Sequence, residues 1–210
     1  MIAHPSETRR VATPCDVSVV VTTRNDDHGG DPLKRLQAFL NTFAAQCRRS
    51  ALDAEVIVVE WNPPAGRPRV RELVRVPVEC PFAIRFIEVP PDLHGRLRHA
   101  DVLPLFQMIA KNVGIRRAAG RFVLGTNIDI IFSNELVEYV ASQGLEPRRL
   151  YRVDRHDIQP DYPVDAALEN QIAYCQTHQL RLHDRWGTHR VDAVGRKQLA
   201  DGDKIGRAFV

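Results

Sequence analysis

Residues 17–22 read Val-Ser-Val-Val-Val-Thr, and this run decides the fold class. A near-continuous stretch of β-branched residues predicts a strand that is buried on both faces. The polar stretch Thr22–Asp31 ends the strand, and Asp31-Pro32 has the pattern of a helix N-cap followed by proline at the first helical position. The predicted helix carries its apolar residues at helical spacing, on Leu33, Leu36, Phe39, Leu40 and Phe43.

The alternation of strand and helix continues along the chain. Further strands are predicted at 55–60, 84–89, 121–125 and 150–153, and further helices at 70–74, 104–118, 134–144 and from Pro163. Such an order predicts an α/β protein with right-handed βαβ units and a mainly parallel central sheet flanked by helices on both faces. The pattern divides the chain into a polar lead-in at 1–16, one domain at 17–186 and an irregular tail at 187–210.

Composition limits the classes of protein to which the chain can belong. With 210 residues, 44% hydrophobic and 26% charged, it has the size and make-up of one globular domain. The net charge of +3 is small, so we expect no strong positive electrostatic field that would attract nucleic acids or membrane surfaces. The sequence shows no transmembrane segment and no apolar signal region, and its four cysteines are widely spaced, so we expect a cytoplasmic protein with reduced thiols.

Polar residues follow the first two strands, at the edge where parallel sheets bind ligands. Thr22, Thr23, Arg24 and Asn25 offer hydroxyl, guanidinium and amide groups to a base or ribose. Glu60 ends the second strand and can accept hydrogen bonds from the same groups, with Trp61 beside it. The glycine patterns of dinucleotide-binding folds and P-loops are absent from this part of the sequence.

A third group of polar residues surrounds the fourth strand. Lys111 and Asn112 lie on the helix before it, and Asn127 and Asp129 follow it. Alternate residues of an extended segment point the same way, so these last two are expected to present two oxygens to one hard cation. Mg²⁺ or Mn²⁺ held by few protein ligands takes the rest from water and substrate phosphates.

In order and spacing, these runs resemble GT-A glycosyltransferases, most closely the large inverting group of bacterial family 2 type. Residues 18–25, Ser-Val-Val-Val-Thr-Thr-Arg-Asn, resemble the opening strand S-V-V-I-P-T-Y-N, and Glu60 stands at the place of the usual aspartate. Residues 111–114 and then Gly120 and Phe122 resemble the N-x-G…A-x-G-x-[YF] run of the family. Asn127-Ile128-Asp129 occupies the position of the D-x-D motif.

The resemblance implies a nucleotide-diphosphate-sugar transferase that acts on an unknown hydroxyl acceptor. Thr22, Thr23, Arg24, Asn25 and Glu60 would hold the nucleoside. Lys111 and Asn112 would lie near the ribose or phosphates. Asn127 and Asp129 would hold Mn²⁺ or Mg²⁺ on the diphosphate.

The acceptor half of the family has no clear counterpart in this sequence. Residues 187–210 differ from the acidic segment that supplies the catalytic base, so Asp154, His156 and Asp157 are the candidates for that role. The alternative is a catalytically degenerate nucleotide-binding or partner module. A sugar-nucleotide pyrophosphorylase would need a glycine-rich G-x-G-x-R loop after the first strand, which the sequence lacks.

Overall fold

The computed structural model describes residues 15–26 and 30–200. The chain divides into two compact units, Met1–Leu145 and Glu146–Val210. The expectations for residues 1–14 of the lead-in, for residues 27–29 of the first loop and for residues 201–210 of the tail lie outside the described residues.

The first unit contains a four-stranded parallel sheet, as the sequence predicts. Its strands are β1 (Cys15–Thr23), β2 (Ala54–Trp61), β3 (Ala83–Val89) and β4 (Gly120–Gly125). Their order in the sheet is β3-β2-β1-β4, and every neighbouring pair is parallel. The helices of this unit are α1 (Pro32–Ser50), α2 (Val70–Leu73), α3 (Pro91–His94), α4 (Gln107–Ile115) and α5 (Asn134–Ala141).

Helices cover both faces of this sheet, which confirms the predicted α/β class. On one face, α1 packs through Phe39 and Phe43 against alternate valines of β1 and β2, together with α5. On the other face, α4 packs through Ala110 against Val20 and Ile57. The central strands are therefore buried on both sides, as their continuous apolar sequence requires.

Two glycines allow the backbone to approach the sheet closely. A Cβ atom at Gly114 in α4 would lie 2.5 Å from Cγ1 of Val20. A Cβ atom at Gly120 would lie 2.3 Å from the backbone nitrogen of Ser18. Two glycines of the 111–122 run thus have a packing role in this structure.

A buried polar network links β1, β2 and the start of β4. The Ser18 hydroxyl donates to Glu55 Oε1 at 2.6 Å and accepts from the Gly120 amide at 2.7 Å. Glu55 also accepts from the Ala119 amide and from Arg85, each at 2.7 Å. Although burial opposes it, these hydrogen bonds hold the pKa of Glu55 below its ordinary value.

The second unit has an antiparallel sheet, which the sequence did not predict. Its elements are β5 (Arg155–Ile158), α6 (Leu168–Thr177), β6 (Gln179–Asp184), β7 (Gly187–Val191) and β8 (Lys197–Leu199). The four strands follow one another in the order β5-β6-β7-β8, and each neighbouring pair is antiparallel.

Several expectations for this unit are wrong. The predicted strand at 150–153 is irregular, and the strand begins at Arg155 instead. The helix expected from Pro163 begins at Leu168. Residues 187–191 and 197–199 form strands although the tail was expected to be irregular. Antiparallel pairing with neighbouring strands, which carries no apolar signal in these two segments, defines both.

No helix within residues 15–26 and 30–200 is long and apolar enough to cross a membrane.

Candidate functional site

Three predicted nucleoside-binding residues meet at the carboxyl edge of the first sheet. Thr23 and Glu60 are directly paired residues of the parallel strands β1 and β2. Glu60 Oε2 accepts from the Val70 amide at 3.0 Å, and Asn25 Nδ2 donates to the Pro68 carbonyl at 3.0 Å. The side chains of Thr23, Asn25 and Glu60 and the backbone of 67–70 thus form one group, the strand-end niche.

Glu60 is the buried carboxylate of the strand-end niche. The residue is only 3% exposed, yet its Oε1 has no hydrogen-bond partner among the described residues. Burial raises the pKa of Glu60, while the Val70 amide and the charge of Arg69 oppose the rise. A buried acceptor without a partner costs free energy, and an N–H or O–H group of a ligand would satisfy it.

Three residues near the strand-end niche have other surroundings. The Thr22 hydroxyl is buried on the α4 face of the sheet and has no hydrogen-bond partner in the described part of the chain. Arg24 ties two loops together, because its Nε donates to the Asn62 carbonyl at 2.8 Å and its Nη1 pairs with Asp26. Trp61 Nε1 donates to His94 Nδ1 at 2.8 Å.

The expectation that Trp61 lies beside Glu60 in the site is therefore wrong. Neighbouring residues of a strand point to opposite faces. Trp61 is buried among Val59, Val89 and Phe106 on the α4 face, whereas Glu60 contacts Val70, which is buried on the α1 face.

A second polar cluster joins α4 to the loop after β4. Asn127 Oδ1 accepts from Lys111 Nζ at 3.0 Å and from Gln107 Nε2 at 2.8 Å. Burial lowers the pKa of Lys111, and the negative charge of Asp129 opposes that shift. The neighbouring Asn112 is exposed, and its side chain has no hydrogen-bond partner in residues 15–26 and 30–200.

The two candidate metal ligands bond to helices on opposite faces of the sheet. Asp129 Oδ2 accepts from Arg35 Nη1 of α1 at 2.7 Å, whereas Asn127 bonds to α4. The extended geometry assumed for them is wrong, because β4 ends at Gly125 and residues 128–129 form a turn.

This donor set does not fit a divalent cation. A cationic or amide N–H donor already contacts one oxygen of each side chain, and Lys111 and Arg35 would repel a metal ion at these positions. Within the described residues, no group of three or more His, Cys, Asp or Glu side chains could hold a metal ion.

The candidate catalytic bases belong to the second unit. Asp154 and His156 are exposed. Asp157 accepts from Arg155 Nε at 3.0 Å and shares a 2.8 Å hydrogen bond with His183 Nε2. Although burial opposes it, the His183 hydrogen bond and the Arg155 charge hold the pKa of Asp157 below its ordinary value. A carboxylate that is paired at both oxygens is a weak proton acceptor.

Sequence reasoning missed part of the first-unit site. The backbone of 67–70, Arg35 and Gln107 bond to the predicted residues, but none was a candidate. Residues 67–70 lie seven to ten positions after Glu60, beyond the strand-end residues that the sequence singles out. Arg35 lies between the apolar positions of α1, and no local pattern indicates that it reaches the loop after β4.

No protein-family model matches this chain, and no curated protein matches it significantly.

Proposed function

We propose that this chain binds a nucleotide-diphosphate sugar and transfers the sugar to a hydroxyl acceptor. The observation that carries the proposal is the unpartnered, buried Glu60 Oε1 at the carboxyl edge of a parallel sheet. Ligands of open α/β sheets bind at this edge. The motif order from Ser18 to Asp129 gives the proposal its substrate class, because it resembles the nucleotide-sugar half of GT-A glycosyltransferases.

In this proposal the strand-end niche receives the nucleoside. Glu60 accepts a hydrogen bond from a base N–H or a ribose hydroxyl, and the Thr23 hydroxyl supplies a second polar contact. The Asn25 side chain holds the 67–70 backbone in place through its hydrogen bond to Pro68. Because Asn25 and Glu60 already hydrogen-bond to this backbone, binding would order few additional groups.

Cationic side chains face the diphosphate in place of a metal ion. Lys111 and Arg35 contact the oxygens of Asn127 and Asp129, which the sequence had assigned to a metal. An ammonium and a guanidinium group can stabilise the charge that develops on a leaving nucleoside diphosphate. In the transfer, the bond between the sugar C1 and the diphosphate oxygen breaks, and the acceptor oxygen bonds to C1 as it loses its proton.

The candidates that the sequence offers for the base that takes this proton, Asp154, His156 and Asp157, belong to the second unit, so the first-unit site gives none of them support. The pairing of Asp157 with Arg155 and His183 favours the second candidate function, a nucleotide-binding module without transferase activity. The two functions share the strand-end niche and differ only in turnover. A sugar-transfer assay with a panel of acceptors separates them.

Calorimetric titration with UDP-, GDP- and dTDP-sugars tests the proposal directly. We expect one of the three to bind, and Glu60→Gln to weaken its binding by about 1 kcal/mol or more, because a neutral amide oxygen replaces the charged acceptor of the buried hydrogen bond. Affinity should be the same with Mn²⁺ as with a chelator. Glu138→Gln, at an exposed carboxylate of α5, is the matched control and should leave the affinity unchanged.

Binding that persists in Glu60→Gln would remove this carboxylate from the site and with it the main support for the proposal. Binding that requires Mn²⁺ would contradict the cationic arrangement of Lys111 and Arg35.

A further inference from the structure

The second unit contains an open cavity of about 470 Å³. Its lining residues are Asp157, Leu180, Arg181, Arg190 and Val191. The cavity is wide open to solvent, so the charged side chains that line it are accessible to a small anion.

Two arginines of this cavity are directly opposite each other. Arg181 of β6 and Arg190 of β7 are paired residues of the antiparallel ladder, so their side chains leave the same face of the sheet. Like charges in this position destabilise a strand pair. Both side chains are exposed, and neither has a hydrogen bond or ion pair with any residue that the structure describes.

The carboxylate in the cavity does not neutralise these arginines. Asp157 is paired with Arg181 in the ladder, yet its two oxygens contact Arg155 and His183 instead. The cavity therefore presents two positive charges that lack a counter-charge within the described residues.

We propose that Arg181 and Arg190 bind the phosphate group of a small molecule. Guanidinium groups match the geometry of phosphate oxygens and form strong, charge-assisted hydrogen bonds with them. A phosphate dianion balances both charges, whereas a single carboxylate would balance only one. The site stands on residues of the second unit alone and does not depend on the function proposed for the first.

Calorimetry with inorganic phosphate at constant ionic strength tests this site in the full chain. We expect phosphate to bind the wild type, and Arg181→Gln and Arg190→Gln each to weaken binding by about tenfold or more, since each removes a charge-assisted hydrogen bond. Arg185→Gln is the control of equal charge, because Arg185 stacks on the ring of the exposed Trp186 in the same unit. It should leave phosphate binding unchanged.

Thermal unfolding gives a second readout, because the substitution that weakens phosphate binding should raise the melting temperature of the phosphate-free protein. Without phosphate, Arg181→Gln should melt at a higher temperature than the wild type, because the repulsion between the two arginines is gone. Added phosphate should raise the melting temperature of the wild type and of Arg185→Gln, but raise that of Arg181→Gln much less.

Three results would overturn the proposal. They are the absence of phosphate binding, an equal loss of binding in Arg185→Gln, and binding of acetate or succinate as tight as that of phosphate. Loss of phosphate binding in Lys111→Met alone would place the anion in the first unit. Glu60→Gln affects only the nucleotide-sugar titration, so failure of one proposal is distinguishable from failure of the other.

Discussion

Glu60 is the residue at which binding and stability oppose each other. Its carboxylate is buried with one unpartnered oxygen, and burial raises its pKa above the ordinary 4.5. The folded protein therefore binds this proton more tightly than the unfolded chain does. The cost of the buried charge is absent below the unfolded pKa and grows as the pH rises through the folded pKa.

We therefore expect Glu60→Gln to raise the free energy of unfolding relative to the wild type at neutral pH, because a neutral amide costs less to bury than a carboxylate. The gain should shrink toward pH 4. Urea denaturation of both proteins from pH 4 to pH 8 measures this difference, with Glu138→Gln as the exposed control. A difference that is constant across the range would show that the Glu60 charge costs the fold nothing.

At the scale of elements, β4 depends on the absence of a side chain where it enters the sheet. A Cβ atom at Gly120 would meet the backbone of β1, which cannot move aside. We expect Gly120→Ala to destabilise the protein by about 1–3 kcal/mol or more through overpacking. Gly125→Ala, at the other end of the same strand, is the control, since its Cβ would have no heavy atom within 4 Å. Equal losses of stability in the two variants would contradict this explanation.

The elements of the first unit could be predicted because their signals are local. The run at 17–22 is buried on both faces, and the stripe that begins at Leu33 packs on it, so periodicity alone identifies both. The second unit could not be predicted in the same way. Its strands carry residues such as Arg181 and His183 on a solvated face, and their pairing depends on turns such as Trp186-Gly187 rather than on an apolar run.

The candidate site shows the same limit of local signals. Strand-end position was sufficient to bring Thr23 and Glu60 together, because register follows from the parallel sheet. The contacts of Asn127 with α4 and of Asp129 with α1 were not predictable. Both residues lie in the loop after β4, which ends at Gly125, and side chains in a loop do not alternate between two faces as they do in a strand.

At the scale of the whole molecule, the two units differ in the size of their cores. The first has two clusters of buried apolar residues, whereas in the described part of the second only Ile172 and Leu182 are buried apolar side chains. Backbone amides open most readily where few apolar contacts protect them.

We expect the amides of β6 to exchange with deuterium at least about a hundredfold faster than those of β2 under native conditions. Mass spectrometry of peptic fragments measures both strands in one experiment. Urea should then unfold the second unit before the first. Equal protection of the two strands, or one coincident transition, would show that the units unfold together.

Each unit contains one tryptophan, and the two differ in exposure, so intrinsic fluorescence distinguishes the units. Trp61 is buried in the first unit against His94, and Trp186 is 63% exposed in the second. The chain contains no other tryptophan. The fluorescence of Trp61 should be blue-shifted and shielded from iodide, while Trp186 should be quenched freely. A single emission spectrum of the unmodified protein can therefore report which of the two units has opened.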